Sequence, residues 1–203
     1  MDNDMLELEV AFDYRCPFAR NAHEAVLAGL EAGAAWQVRF VPFSLSQAKV
    51  EEDSTDVWVA PETDSGLLAM QVGVAIRDDQ PEHFLAAHRA LFGLRHDHGG
   101  DLRDEGALRG VLAGTGVDVD AAFEAVASGV PLKTVRDDHN RLVEEHEVWG
   151  VPAFIANGSA AFVRLMDRPS DDPGDAIAAV ERIVDMLKTW PELNELKHFS
   201  LSR

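Results

Sequence analysis

Cys16 is the single cysteine in 203 residues. It stands directly before Pro17, between an alternating segment and a run with helical spacing. A thiol there meets unpaired helix N–H groups and the positive end of the helix dipole, which favour an anion by about 0.3–1 kcal/mol, up to ~2 in partly buried geometry. Arg15 adds a positive neighbour. The expectation is a thiol pKa below the ordinary ~8.5 and a nucleophile available near neutral pH. The alternative is a small, inert core residue, the usual role of a buried free cysteine. With one cysteine, an intrachain disulfide and any Cys-clustered zinc or iron–sulfur site are excluded.

Other chemistry-bearing residues are weaker. His96-x-His98 and the pair His139/His146 have spacings a metal could use, but no carboxylate or cysteine completes a set, so no metal site is expected. His139 and His146 interrupt an apolar stripe and read as packed, hydrogen-bonded residues. His23 lies two helical turns after Cys16, too far to serve as its base. Asp13 could orient or repel a thiolate. Asn157-Gly158-Ser159 fits a glycosylation acceptor, yet Asn-Gly is a stronger hairpin signal.

The elements that must hold Cys16 can be read from periodicity. Leu6, Leu8, Val10 and Phe12 alternate with Glu7, Glu9, Ala11 and Asp13, the period of a strand. Pro17 suits a first helical position, Ala22, Ala25, Val26 and Leu30 follow at helical spacing, and Gly33 is a natural stop. Trp36, Val38 and Phe40 give a second strand ending near Pro42. Such a β-α-β opening implies a parallel pair with a right-handed crossover. The region from about 46 to 60 has no sustained period. Residues 62–147 are mostly helical, with Phe84, Leu85, His88, Leu91 and Phe92 as one stripe. Shorter helices are expected around Leu108–Leu112 and Phe123–Ala127. A longer one opens at Pro131 and carries Leu132, Val135, His139 and Leu142. Ala153 to Ala156 reads as a strand, Asn157-Gly158 as a turn, and Ala160 to Leu165 as the return. Asp172 and Pro173 open a last helix with Ile177, Val180, Ile183, Val184 and Leu187 on its apolar face. The order is β-α-β, a helical block, then β-β-α.

Two runs together resemble a known family. Phe12-Asp13-Tyr14-Arg15-Cys16-Pro17-Phe18-Ala19 is similar to the active-site entry of the DsbA-like branch of the thioredoxin superfamily. Trp149-Gly150-Val151-Pro152-Ala153-Phe154, followed by Asn157-Gly158, resembles that family's cis-proline segment. The resemblance implies an α/β, thioredoxin-like fold. Residues 1–47 and 131–203 would form the thioredoxin-like domain, interrupted by a mainly helical insertion over 48–130. It implies Cys16 as the catalytic thiol, and Pro17, Phe18, Val151 and Pro152 as the substrate-binding rim. Val151 would offer its backbone to an extended peptide or small thiol, and the Val151–Pro152 bond would be cis.

The departure from the family pattern is Ala19, which stands where the dithiol motif has its second cysteine. Monothiol chemistry remains: Cys16 attacks a disulfide, and an external thiol releases the mixed disulfide. No tightly bound cofactor is implied. The co-substrate would be a low-molecular-weight thiol, glutathione or mycothiol, because the Phe84–His96 block and the Trp190–Lys197 tail resemble mycothiol-dependent reductases. A related branch, the kappa-class glutathione transferases and hydroxychromene-carboxylate isomerases, uses a serine at the first cysteine's position. A thiol-cofactor isomerase or transferase is therefore the second reading, and a redox-inactive binding or chaperone module the third.

Composition narrows the partners. There are 18 Lys+Arg against 36 Asp+Glu, a net charge of −18, while 46% of residues are hydrophobic, enough for a packed core. Such a surface repels phosphate backbones, so nucleic acid and anionic membranes are not expected partners. No apolar run reaches the ~18 residues of a membrane span. Met1–Asp4 is acidic and lacks the basic and apolar regions of a secretory signal, so a cytoplasmic protein is expected. Small thiols or disulfides are the expected partners, and a homodimer stays open.

Overall fold

The computed structural model describes residues 5–51 and 53–198. The acidic Met1–Asp4 start and the last five residues of the tail lie outside the described residues. Residues 190–198 form no helix or strand.

Strand β1 (Leu6–Phe12) leads into helix α1 (Pro17–Glu31) and strand β2 (Trp36–Pro42). Gly33, at φ +83, takes the left-handed conformation that turns the chain from α1 toward β2. Among the described residues five α-helices follow: α2 (Leu67–Asp79), α3 (Pro81–His96), α4 (Glu105–Leu112), α5 (Val119–Ala127) and α6 (Val130–His146). Strands β3 (Ala153–Ala156) and β4 (Ser159–Phe162) and helix α7 (Pro173–Thr189) are the last elements among the described residues. The sheet order is β2-β1-β3-β4, with β1 parallel to β2 and the other neighbours antiparallel. Sequence-distant strands β1 and β3 are thus adjacent, which brings the β1–α1 corner beside the chain entering β3. This is a thioredoxin-like sheet with a helical block inserted between its halves.

Helices cover both sheet faces. α1 and α7 pack on each other, and α6 packs against β2. Glu9, on the β1 face opposite Leu8 and Val10, is ion-paired with Arg141 of α6. The expected alternation in β1 stops at Ala11, which is fully buried along with its neighbours Val10 and Phe12. The Asn157-Gly158 turn has both residues at positive φ, 52 and 76, as a two-residue primed turn requires.

Two elements depart from the periodicity reading. β4 ends at Phe162 rather than running to Leu165. The next residue, Val163, donates its N–H to the Pro152 carbonyl (3.1 Å), but proline has no N–H to return, so the ladder stops. α2 shows no stripe because nine of its 13 residues are buried, and a helix apolar on all sides has no face to read.

Candidate active site

Cys16 is the N-cap of α1, with extended backbone (φ −87, ψ 117), and Pro17 is the first helical residue. The Cys16 N–H donates to the Asp13 carbonyl (2.9 Å), closing a tight turn off the end of β1. The sulfur takes the usual N-cap role of serine or aspartate, accepting the Ala19 N–H at 3.4 Å. Its S–H donates to the Val151 carbonyl at 3.3 Å. The Val151–Pro152 peptide bond is cis. Cys16 is 7% exposed, Val151 and Pro152 are buried, Phe18 is half-buried and Pro17 is open to solvent. The structure therefore brings together all five residues of the expected site, which lie up to 136 positions apart in the chain.

The electrostatics differ from the expectation. Burial pushes the Cys16 thiol up from its ordinary pKa; the N–H groups of Ala19 and Phe18 pull it down, Asp13 pushes it up, and Arg164 pulls it down. Burial wins, so the thiol is raised rather than lowered. Arg15 does not supply the charge its sequence position suggested. Its guanidinium grips Asp13 (2.5 Å), Ser46 (2.6 Å) and Asp64 (3.1 Å). Two carboxylates consume its charge, and the arginine staples the loop after β2 to the β1–α1 corner.

Sequence reading missed two features of the site. The first is Arg164, whose guanidinium lies over the rings of Phe18 (5.3 Å) and Phe162 (5.6 Å). Phe162 in turn packs on the exposed Trp149 at 4.7 Å between ring centroids. Its signal was faint, since only the hairpin register counted from Asn157-Gly158 places position 164 near Val151.

The second is a buried polar chain beneath the loop. Tyr14 bonds His88 Nδ1 (2.8 Å), His88 Nε2 bonds His23 Nδ1 (2.8 Å), and His23 Nε2 bonds the Ala11 carbonyl (3.2 Å). The partners set the tautomers. Ala11's carbonyl only accepts, so His23 Nε2 carries the proton and Nδ1 accepts from His88, whose Nδ1 then accepts from tyrosine. Burial holds both rings neutral, His23 with a pKa of about 3 and His88 well below its ordinary value, and raises the Tyr14 hydroxyl. His23 is thus occupied in the core and does not face the sulfur.

Of the other histidines singled out above, His139 and His96 are hydrogen-bonded, whereas His98 is exposed and His146, expected to be hydrogen-bonded, has no such partner among the described residues. His139 is buried and accepts the Ser44 N–H (3.2 Å). His146 stays half-buried at the end of α6. His96 donates to the Tyr14 carbonyl (2.9 Å). Among the described residues no three His, Cys, Asp or Glu side chains converge as a metal would need.

The arrangement, a thiol at a helix start facing a cis-proline loop across a β-α-β/β-β-α sheet, agrees with what the whole-chain comparison finds. The profile of the DSBA-like thioredoxin domain matches residues 7–170. The chain belongs to that family. Solved structures share the fold at low identity. The thiol-disulfide exchange protein α-DsbA2 from Wolbachia pipientis aligns with a TM-score of 0.59 at 17% identity, over 92% of this chain and 84% of its own. A thioredoxin-like oxidoreductase from Silicibacter pomeroyi gives 0.56 at 18%, over 90% and 91%. The oxidoreductase NmDsbA1 of N. meningitidis gives 0.57 at 13%, over 95% and 89%. No curated protein matches the chain. As a DSBA-like domain it is an oxidoreductase of the thiol-disulfide class. Among the described residues no helix is long and apolar enough to cross a membrane.

Proposed function

We propose that this protein is a monothiol oxidoreductase: Cys16 attacks a disulfide, and a low-molecular-weight thiol, glutathione or mycothiol, completes the cycle. The observation that carries this reading is the pairing of the Cys16 sulfur with the Val151 carbonyl (3.3 Å) while Ala19, three residues on, supplies only an N–H. In the first step the thiolate sulfur bonds one sulfur of the substrate disulfide, and the other sulfur leaves as a thiolate. In the second, the external thiolate attacks the mixed disulfide and frees Cys16. A resolving cysteine would make that step internal, at high effective concentration; here it is bimolecular.

The raised Cys16 pKa bears on direction. A high-pKa thiolate is intrinsically a good nucleophile but a poor leaving group, and its reduced form gains nothing from stabilisation of the anion. The protein therefore suits disulfide reduction better than disulfide donation. Steady supply of the second thiol is why the cytoplasm is the proposed setting. Val151, Pro152, Pro17 and Phe18 form the rim on which the substrate rests.

The same raised pKa favours one other reading. A thiol that stays protonated and bonds a backbone carbonyl could act as serine does in the kappa-class transferases and hydroxychromene-carboxylate isomerases, positioning a thiol cofactor. One experiment separates the two. Wild type is expected to accumulate a mixed disulfide at Cys16, seen as a mass increment, and to turn over only with added thiol. Ala19→Cys should form an internal disulfide and weaken that dependence. Catalytic reduction without added thiol, or activity unchanged in Cys16→Ser, would overturn the monothiol cycle.

A further inference from the structure

Arg164 is an exposed cation in a chain that carries twice as many acidic as basic residues. Among the described residues it forms no salt bridge. Arg168, on the same segment, is ion-paired with Glu24. Its position is set by the site itself: Val163, the residue before it, is hydrogen-bonded to the Pro152 carbonyl (3.1 Å). Two π faces hold its guanidinium, and one of them, Phe18, is two residues from Cys16. The guanidinium carbon lies 5.3 and 5.6 Å from the two ring centroids, and among the described residues its N–H groups make no hydrogen bond, so they are available to match a carboxylate with two parallel hydrogen bonds. The exposed Trp149, packed on Phe162, extends the apolar wall beside it.

We infer that Arg164 is a specificity-determining residue that captures a carboxylate of the small disulfide attacked by Cys16, so that carboxylate-bearing disulfides react in preference to neutral or cationic ones. This rests on the monothiol reading and narrows its substrate class. The exchange needs no further reagent: the Cys16 thiolate forms one S–S bond, the substrate S–S bond breaks, and the departing half leaves as a thiolate carrying its own carboxylate. Arg164 also pulls the Cys16 pKa down, an effect shared by every substrate that cancels when two disulfides are compared on one protein.

The test measures second-order rate constants for adduct formation at Cys16, by intact mass, with dithiodiglycolate (anionic), hydroxyethyl disulfide (neutral) and cystamine (cationic) at low ionic strength. Long-range repulsion from the net charge is nearly equal in all variants, so the readout is the anionic-to-neutral rate ratio in wild type against Arg164→Gln. That ratio should fall about two- to fivefold in Arg164→Gln, the range of a solvent-exposed ion pair, and the cationic-to-neutral ratio should rise. Arg164→Lys keeps the charge but not the paired hydrogen bonds, so its ratio should fall between those of wild type and Arg164→Gln. Half-molar salt should shrink the difference between the wild-type and Arg164→Gln ratios, as screening shortens to a few ångströms. Equal ratios in wild type and Arg164→Gln would overturn the assignment of Arg164 and leave the monothiol cycle intact. Absence of a Cys16 adduct from all three disulfides would overturn the cycle, and this inference with it.

Discussion

At the residue scale, Cys16 sits between opposing influences whose sizes decide its chemistry. Helix N–H groups and a nearby arginine favour the thiolate, while enclosure at 7% exposure favours the neutral thiol. Enclosure prevails because a thiolate loses most of its hydration there and recovers only two N–H contacts. The expected result is an iodoacetamide reaction whose rate rises with pH to a midpoint above the free-thiol value of ~8.5. A midpoint near 7 would mean that helix N–H groups outweigh burial. Because the Val151 carbonyl accepts the S–H only in the protonated form, ionisation also frees that acceptor for an incoming donor.

At the element scale, the corner between β1 and α1 is built partly by the inserted helices. Tyr14 reaches from the corner to His88 on α3, and His88 reaches back to His23 on α1. Phe92 and Phe12 pack edge-on around these rings. Gly73 on α2 makes room: a Cβ there would run into the Tyr14 hydroxyl. Tyr14→Phe removes the donor to His88 and leaves a buried ring nitrogen unsatisfied, at a cost of about 1–3 kcal/mol. Gly73→Ala should cost a similar ~1–3 kcal/mol by overpacking. The two changes share one contact, so urea unfolding of the double variant should show a loss smaller than the sum of the singles. Additive losses would mean that α2 and the corner do not press on each other.

At the scale of the whole molecule, neutral buried histidines and excess negative charge set how stability varies with pH and salt. His23 and His139 keep folded pKa values of about 3 and about 4, and His88 lies well below its ordinary value. Between pH 6.5 and 4 the unfolded chain therefore binds protons that the folded chain refuses. Stability rises with pH across that window and is lost as pH falls, by about 1.4 kcal/mol per pH unit for each such histidine. Urea midpoints should drop between pH 7 and pH 5, before most carboxylates titrate; a flat profile would place these rings in water. At pH 7 the net charge of −18 opposes compaction. Sodium chloride raised from about 0.02 to 0.2 M should increase Tm, since the screening length shortens to well below the molecular diameter.

Whatever depends on neighbours along the chain was legible from residue order alone. Alternation located β1, Pro17 and Asp172-Pro173 marked helix starts, and Asn157-Gly158 marked the hairpin, because caps, turns and periodic faces are written within a few residues. The two motifs at Cys16 and Pro152 resembled the DsbA-like branch, to which the family profile assigns the chain. The absence of a second thiol was equally plain. Whatever depends on three-dimensional enclosure was decided only by the tertiary structure. α2 carried no readable stripe because it is surrounded on all sides. Arg15, adjacent to Cys16 in sequence, spends its charge on Asp13 and Asp64, whereas Arg164, 148 positions away, lies beside the site. The Cys16 pKa moved opposite to expectation because a helix start is a local property, but desolvation depends on every element packed around the sulfur.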